Sequence, residues 1–90
     1  MAPRLIEEHE VDILVDTGSS HNFIKSNAFQ RIELKGDEVG VVHVKVASGE
    51  EIKCKKVVRE VEMYVQGVKT MIDLYVLPLT GHDVVLVLHG

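Results

Sequence analysis

Sixteen of the ninety residues are valine. A side chain branched at Cβ loses rotamer freedom in a helix but packs readily on a pleated surface. With aromatics at 4% and no tryptophan, this bias predicts an all-β chain. Position supports composition. Val42-His-Val-Lys-Val46 alternates with period two, and Ile52-Lys-Cys-Lys follows across Ala47-Ser-Gly-Glu50, which is a β-hairpin signal. Val58–Val65 alternates again, Gln66-Gly67 reads as a turn, and Val68–Leu77 runs as a strand to Pro78. Val11–Val15 and Asp83–Leu88 are short apolar runs that read as buried strands. Ser26–Ile32 departs from this pattern. It sets Ala28, Phe29 and Ile32 on one helical side, with Ser26 or Asn27 as a cap and Gly36 after its end. The count is about seven strands with turns every eight to twelve residues, the pattern of a small barrel or sandwich.

Ninety residues make one domain, residues 1–90, with no linker or repeat. A chain of this size buries only roughly 60–65% of its unfolded surface, so a partner subunit is an expected source of stability. A net charge of −4 and a pI near 5.7 disfavour nucleic acid, whose phosphates call for a basic face. The single cysteine, Cys54, makes no internal disulfide and leans toward a reducing compartment. No apolar run approaches a membrane helix, and the first residues have no signal-peptide core. The expectation is a soluble, cytoplasmic domain without membrane contact.

The segment with most chemical content is Val15-Asp-Thr-Gly-Ser-Ser20. An acid at the exit of an apolar strand is followed by hydroxyls that can bond locally and by a glycine that admits a backbone path closed to a Cβ. Alone, Asp16-Thr17-Gly18 is compatible with an ordinary Asx turn as well as with a catalytic loop.

The order of segments along the chain discriminates further. Ile13-Leu-Val-Asp-Thr-Gly-Ser-Ser-His-Asn-Phe-Ile24, then Val44-Lys-Val-Ala-Ser-Gly-Glu-Glu-Ile-Lys-Cys54, then Ile72-Asp-Leu-Tyr-Val-Leu-Pro-Leu79 with Asp83-Val-Val-Leu86, cover most of Val11–Leu86. This order resembles the retropepsins, the single-domain aspartic proteases of retroviruses and long-terminal-repeat retrotransposons, and most of all the protease segment of plant gypsy-type polyproteins. The resemblance implies a small closed β-barrel with one short helix and a projecting flap hairpin. It implies that Asp16 is the catalytic aspartate, that Thr17 bonds between subunits beneath it, and that Gly18 permits the tight loop. Ser19 would support the carboxylate, and Val84, Val85 and Leu86 would brace the loop. Val46, Ala47, Ser48, Gly49 and Glu50 would form the flap over a polypeptide substrate. The implied work is the processing of a retrotransposon Gag-Pol polyprotein, in the cytoplasm and within virus-like particles, with no metal or organic cofactor.

Aspartic proteolysis needs two carboxylates that share a proton around one water, because like charges at close range do not both ionise. This chain has one such loop, so a working site calls for a homodimer with Asp16 from each copy on the two-fold axis. Substrate would lie extended, held by main-chain hydrogen bonds as an added strand.

The chain departs from the family in two respects. Val87 stands where the family has a glycine that packs behind the loop, and a valine there is expected to press the loop out of shape. The leader before Val11 and the end at Leu88-His-Gly90 are short against the family, so the expectation is a domain clipped at both ends, with its dimer contacts reduced. These departures keep a second reading open, a catalytically inactive retropepsin-like dimerisation or peptide-binding module. A third is an unrelated small barrel.

The remaining candidates have plainer readings. Asp12 reads as solvated, Asp73 as outward-facing, and Asp83 as a turn residue or an orienting acid. Glu7, Glu8 and Glu10 read as a wet leader. His9, His21, His43, His82 and His89 show no ligand spacing, so no metal site is expected. His21, just past the loop, reads as a surface residue or as one that tunes the pH profile. Cys54 reads as packed on the inner face of the hairpin. Gly-x-Ser-x-Gly is missing around Ser19 and Ser20, which disfavours a serine nucleophile. Lys53, Lys55 and Lys56 read as a solvated hairpin edge.

Overall fold

A computed structural model describes residues 4–88; residues 1–3 and 89–90, His89 among them, lie outside that range. The strands in chain order are β1 (Leu5–Ile6), β2 (His9–Glu10), β3 (Ile13–Asp16), β4 (Phe23–Lys25), β5 (Asp37–Lys45), β6 (Glu51–Val65), β7 (Val68–Leu77) and β8 (Val84–Val87), with the helix α1 (Ser26–Ile32) between β4 and β5. They form one sheet in the order β2-β1-β6-β7-β4-β8-β3, with β5 on the side of β6. The all-β expectation holds, in the form of a sheet curled into a half-barrel.

The long antiparallel pair β6–β7 is the backbone of the sheet. Its alternation breaks between Val58 and Val61, where the register shifts and Glu60 takes φ 52. The Glu60 N–H, turned out of the ladder, donates to Asp73 Oδ1 at 2.8 Å. Asp73 is thus the outward-facing acid expected, with a bulge to hold. Strand β6 also pairs with β5, with Val42 opposite Cys54 and Lys45 opposite Glu51, which makes the projecting hairpin.

The inner strands are buried on both faces, which explains their apolar runs. Ile24, Val58, Val61, Leu74 and Val84 point into one core with Ile6, Ile13, Ala28 and Ile32. Phe23, Leu77 and Val85 point the other way, into a core shared with Val44, Val46 and Cys54. Neighbours such as Phe23 and Ile24, or Val84 and Val85, therefore serve opposite cores, as the period of two requires. Cys54 is buried as expected, with its Sγ 3.0 Å from the carbonyl oxygen of Lys56.

Several local expectations need correction. The leader is not simply wet. Leu5 and Ile6 pair with Tyr64 and Met63, Ile6 is fully buried, and Glu7 and Glu8 make the turn into β2 with positive φ at both positions. Helix α1 lacks the serine or asparagine cap. It leaves β4 directly, Lys25 is its N-cap residue with no side-chain bond, and Ser26 is already helical. Its end is closed by Glu33 in the left-handed conformation (φ 62), not by Gly36. The run Val11–Val15 is only half buried. Val11 and Ile13 face the core, while Leu14 and Val15 are exposed because β3 ends the sheet and has only β8 beside it. Lys53 and Lys55 are exposed as expected, on the stretch of β6 that precedes its pairing with β7, whereas Lys56 is half-buried with its ammonium 5.3 Å from the centre of the Phe29 ring.

Candidate active site

Strand β3 runs parallel to β8, with Leu14 opposite Val85, Val15 opposite Leu86 and Asp16 opposite Val87. The pairing continues one step further, since the Leu88 N–H donates to the Asp16 carbonyl at 3.0 Å. The loop carrying Asp16 therefore leaves a strand whose backbone is fixed to its last residue. Val87 does not deform it. The side chain is accommodated in register, and the Val87 N–H donates to Asn22 Oδ1 at 2.7 Å, which ties β8 to the far end of the same loop.

Within the loop, Gly18 N–H donates to Asp16 Oδ1 and the Ser19 hydroxyl donates to Asp16 Oδ2, both at 2.8 Å. Each carboxylate oxygen thus has one internal donor. The Gly18 N–H foremost, then the Ser19 hydroxyl, hold the Asp16 carboxyl below the usual carboxylate range, against a smaller upward push from burial. Ser19 is nearly fully buried, whereas Asp16 is half-buried and Thr17 and Gly18 are exposed. The arrangement is a carboxylate oriented from within and open to one side.

Gly18 is needed for a close approach. A Cβ there would stand 3.3 Å from the Ala47 Cα, so the hairpin turn crosses directly over the loop. The turn Val46–Glu50 is closed by Gly49 N–H to the Val46 carbonyl (2.8 Å) and by Val46 N–H to the Glu50 carbonyl (3.0 Å), with Gly49 at φ 91. Below the crossing lies an open cavity of about 240 Å³. Asp16, Ser19, Val46, Ala47, Ser48 and Val85 line it together, so residues from three distant parts of the sequence meet at one place. Gly49 and Glu50 stay outside it, exposed at the turn, and Val84 and Leu86 face or pack on the other core.

The sequence did not single out the opposite wall, formed by Leu14, Phe23, Lys25 and the segment Leu79–His82. That segment is positioned by Asp83, which is buried and is no mere turn residue. Its Oδ2 accepts the Asp12 N–H (2.9 Å) and pairs with Arg31 (3.1 Å), and its Oδ1 lies 3.3 Å from Lys25 Nζ. Burial pushes this carboxyl up, but the Asp12 N–H, Arg31 and Lys25 outweigh it and hold the group below its ordinary value. Asp12 is exposed as expected, though engaged, with its Oδ2 2.7 Å from His82 Nδ1. No cluster of three or more metal-ligating side chains occurs among the described residues. No helix of the described residues is long and apolar enough to cross a membrane.

Compared with family models, the chain matches that of the retroviral aspartyl proteases over residues 2–89. A comparison with curated proteins gave no match.

Proposed function

This chain belongs to the retroviral aspartyl protease family, and we propose that it is an aspartic endopeptidase whose site is completed by a second copy of itself. The family supports an aspartic-protease type of hydrolase. The observation that carries the finer reading is the Asp16 carboxylate, oriented by Gly18 and Ser19 at the mouth of a mostly apolar cavity and open on one side. The exposed side chains beside it are Thr17 and the apolar Val15 and Leu88, 58% and 57% exposed, a surface suited to a twin.

In the paired site, one carboxyl is protonated and the other ionised, and the two titrate as a unit. The ionised Asp16 takes a proton from water as the water oxygen attacks the peptide carbonyl carbon. The protonated Asp16 gives its proton to the carbonyl oxygen. Collapse of the tetrahedral species breaks the C–N bond as the nitrogen accepts a proton from the pair. In this reading Ser19 and Gly18 orient each carboxyl, Thr17 bonds across the two-fold axis, and Val84, Val85 and Leu86 brace the loop. The turn Val46–Glu50 covers an extended polypeptide. From the segment order it shares with gypsy-type proteases, the substrate class is a retrotransposon polyprotein cut between its domains, within the cytoplasm.

Cleavage of a peptide library between about pH 4 and 6 tests this reading. Activity should rise more than linearly with protein concentration, stop with a statine-type inhibitor, and vanish in Asp16→Asn. A folded dimer that binds peptides and never cleaves them would favour the second reading, an inactive peptide-binding module.

A further inference from the structure

Ser20 makes two hydrogen bonds to a single residue of the hairpin. Its N–H donates to the Lys45 carbonyl at 2.8 Å, and the Lys45 N–H donates to Ser20 Oγ, also at 2.8 Å. Lys45 is the last residue of β5, immediately before the turn Val46–Glu50, and Ser20 is four residues past Asp16. The hairpin is therefore bonded, just before its turn, to the loop that carries the carboxylate. The Ser20 hydroxyl uses an acceptor lone pair on Lys45, which leaves its own proton for His21 Nδ1 at 2.6 Å. The His21 ring is in turn held edge-on by Tyr75 of β7, with ring centres 5.0 Å apart.

From this network we infer that Ser20 is a positioning residue. It locks the turn end of β5 to the active-site loop, so that access to Asp16 comes from movement of Ala47–Glu50 alone, without a swing of the whole hairpin. Two further observations fit. Val44 and Val46, on either side of Lys45, are buried in the core beside Phe23 and Val85. The turn residues Ala47–Glu50, by contrast, are all exposed. Rigid packing thus reaches Val46, and freedom begins after it. The role in substrate capture rests on the protease reading, whereas the lock itself does not.

The test uses the full chain with Ser20→Ala, which removes the hydroxyl and keeps the backbone bond, and Ser20→Thr, which keeps both. Amide hydrogen exchange followed by NMR should show the Lys45 amide exchanging roughly five- to tenfold faster in S20A, the factor for one net hydrogen bond, and at the original rate in S20T. In peptide cleavage, S20A should raise KM several-fold with kcat nearly unchanged, with S20T restoring KM, because a misplaced cover weakens ground state and transition state alike. Unchanged Lys45 exchange in S20A overturns the lock. Faster exchange with KM unmoved overturns the positioning role. If the unaltered chain does not cleave, the protease reading fails, and the exchange experiment still decides the lock.

Discussion

The Ser19 hydroxyl donates to Asp16 Oδ2 from a buried position, while the carboxylate it serves stands half open. A donor to the ionised form stabilises that form, so Ser19, after the Gly18 N–H, lowers the pKa of its neighbour. Ser19→Ala should raise the Asp16 pKa, and the acidic limb of the kcat/KM profile should move to higher pH with it. Carboxyl chemical shifts across an acid titration, compared between the two proteins, check the direction.

Asp83 should make stability pH-dependent in a defined window. Its folded pKa lies below the unfolded value of about 3.9. Its contribution is therefore complete above that value and is lost as pH falls through the lower folded one. Asp83→Asn should cost roughly 2 kcal/mol near neutral pH, because Lys25 and Arg31 lose their counter-charge; the Arg31 side chain, 48% exposed, contributes the smaller part. Urea unfolding should show this gap closing below about pH 4.

Val87→Gly installs the glycine that the retropepsin resemblance implies at this position. Here Val87 lies in strand register beside Asp16, with its N–H already bonded to Asn22. The glycine should lower stability by about 1 kcal/mol through chain entropy and lost packing. Both hydrogen bonds to the Asp16 carboxylate should remain, and kcat/KM should stay within a few-fold. Thermal unfolding and peptide cleavage check the two halves.

Glu33 closes α1 in the left-handed conformation with its side chain exposed. Replacing it with glycine removes the Cβ strain at no cost in contacts. Glu33→Gly should stabilise the chain by roughly 0.5–1 kcal/mol, measured by urea unfolding.

What was legible in the sequence was the part written in local pattern. Alternating valines located the hairpin and the β6–β7 pair, and Asp16-Thr-Gly-Ser stood out because an acid, a glycine and hydroxyls that can bond to one another fall within four residues, as the Gly18 N–H and the Ser19 hydroxyl do to Asp16. What was not legible depends on partners far away along the chain. Asp83 meets Asp12 and Arg31 across 71 and 52 positions, and Asn22 meets Val87 across 65, so no window of sequence holds both ends. The turn at Glu7-Glu8 and the helix end at Glu33 escaped for another reason. Each puts a glutamate at positive φ, where glycine or asparagine is the usual signal. Tertiary pairing of Ile6 and packing of Ile32 hold those turns closed in spite of their residues.

Strand β8 sends Val84 to one core and Val85 to the other. Four residues are thus common property of the layer beneath the helix and the layer beneath the hairpin. Neither layer can melt while the other stands, because both would lose the same rod of backbone. Loss of structure at the carboxylate should consequently coincide with global denaturation, in a single cooperative step sensed equally at Ala28 and at Cys54.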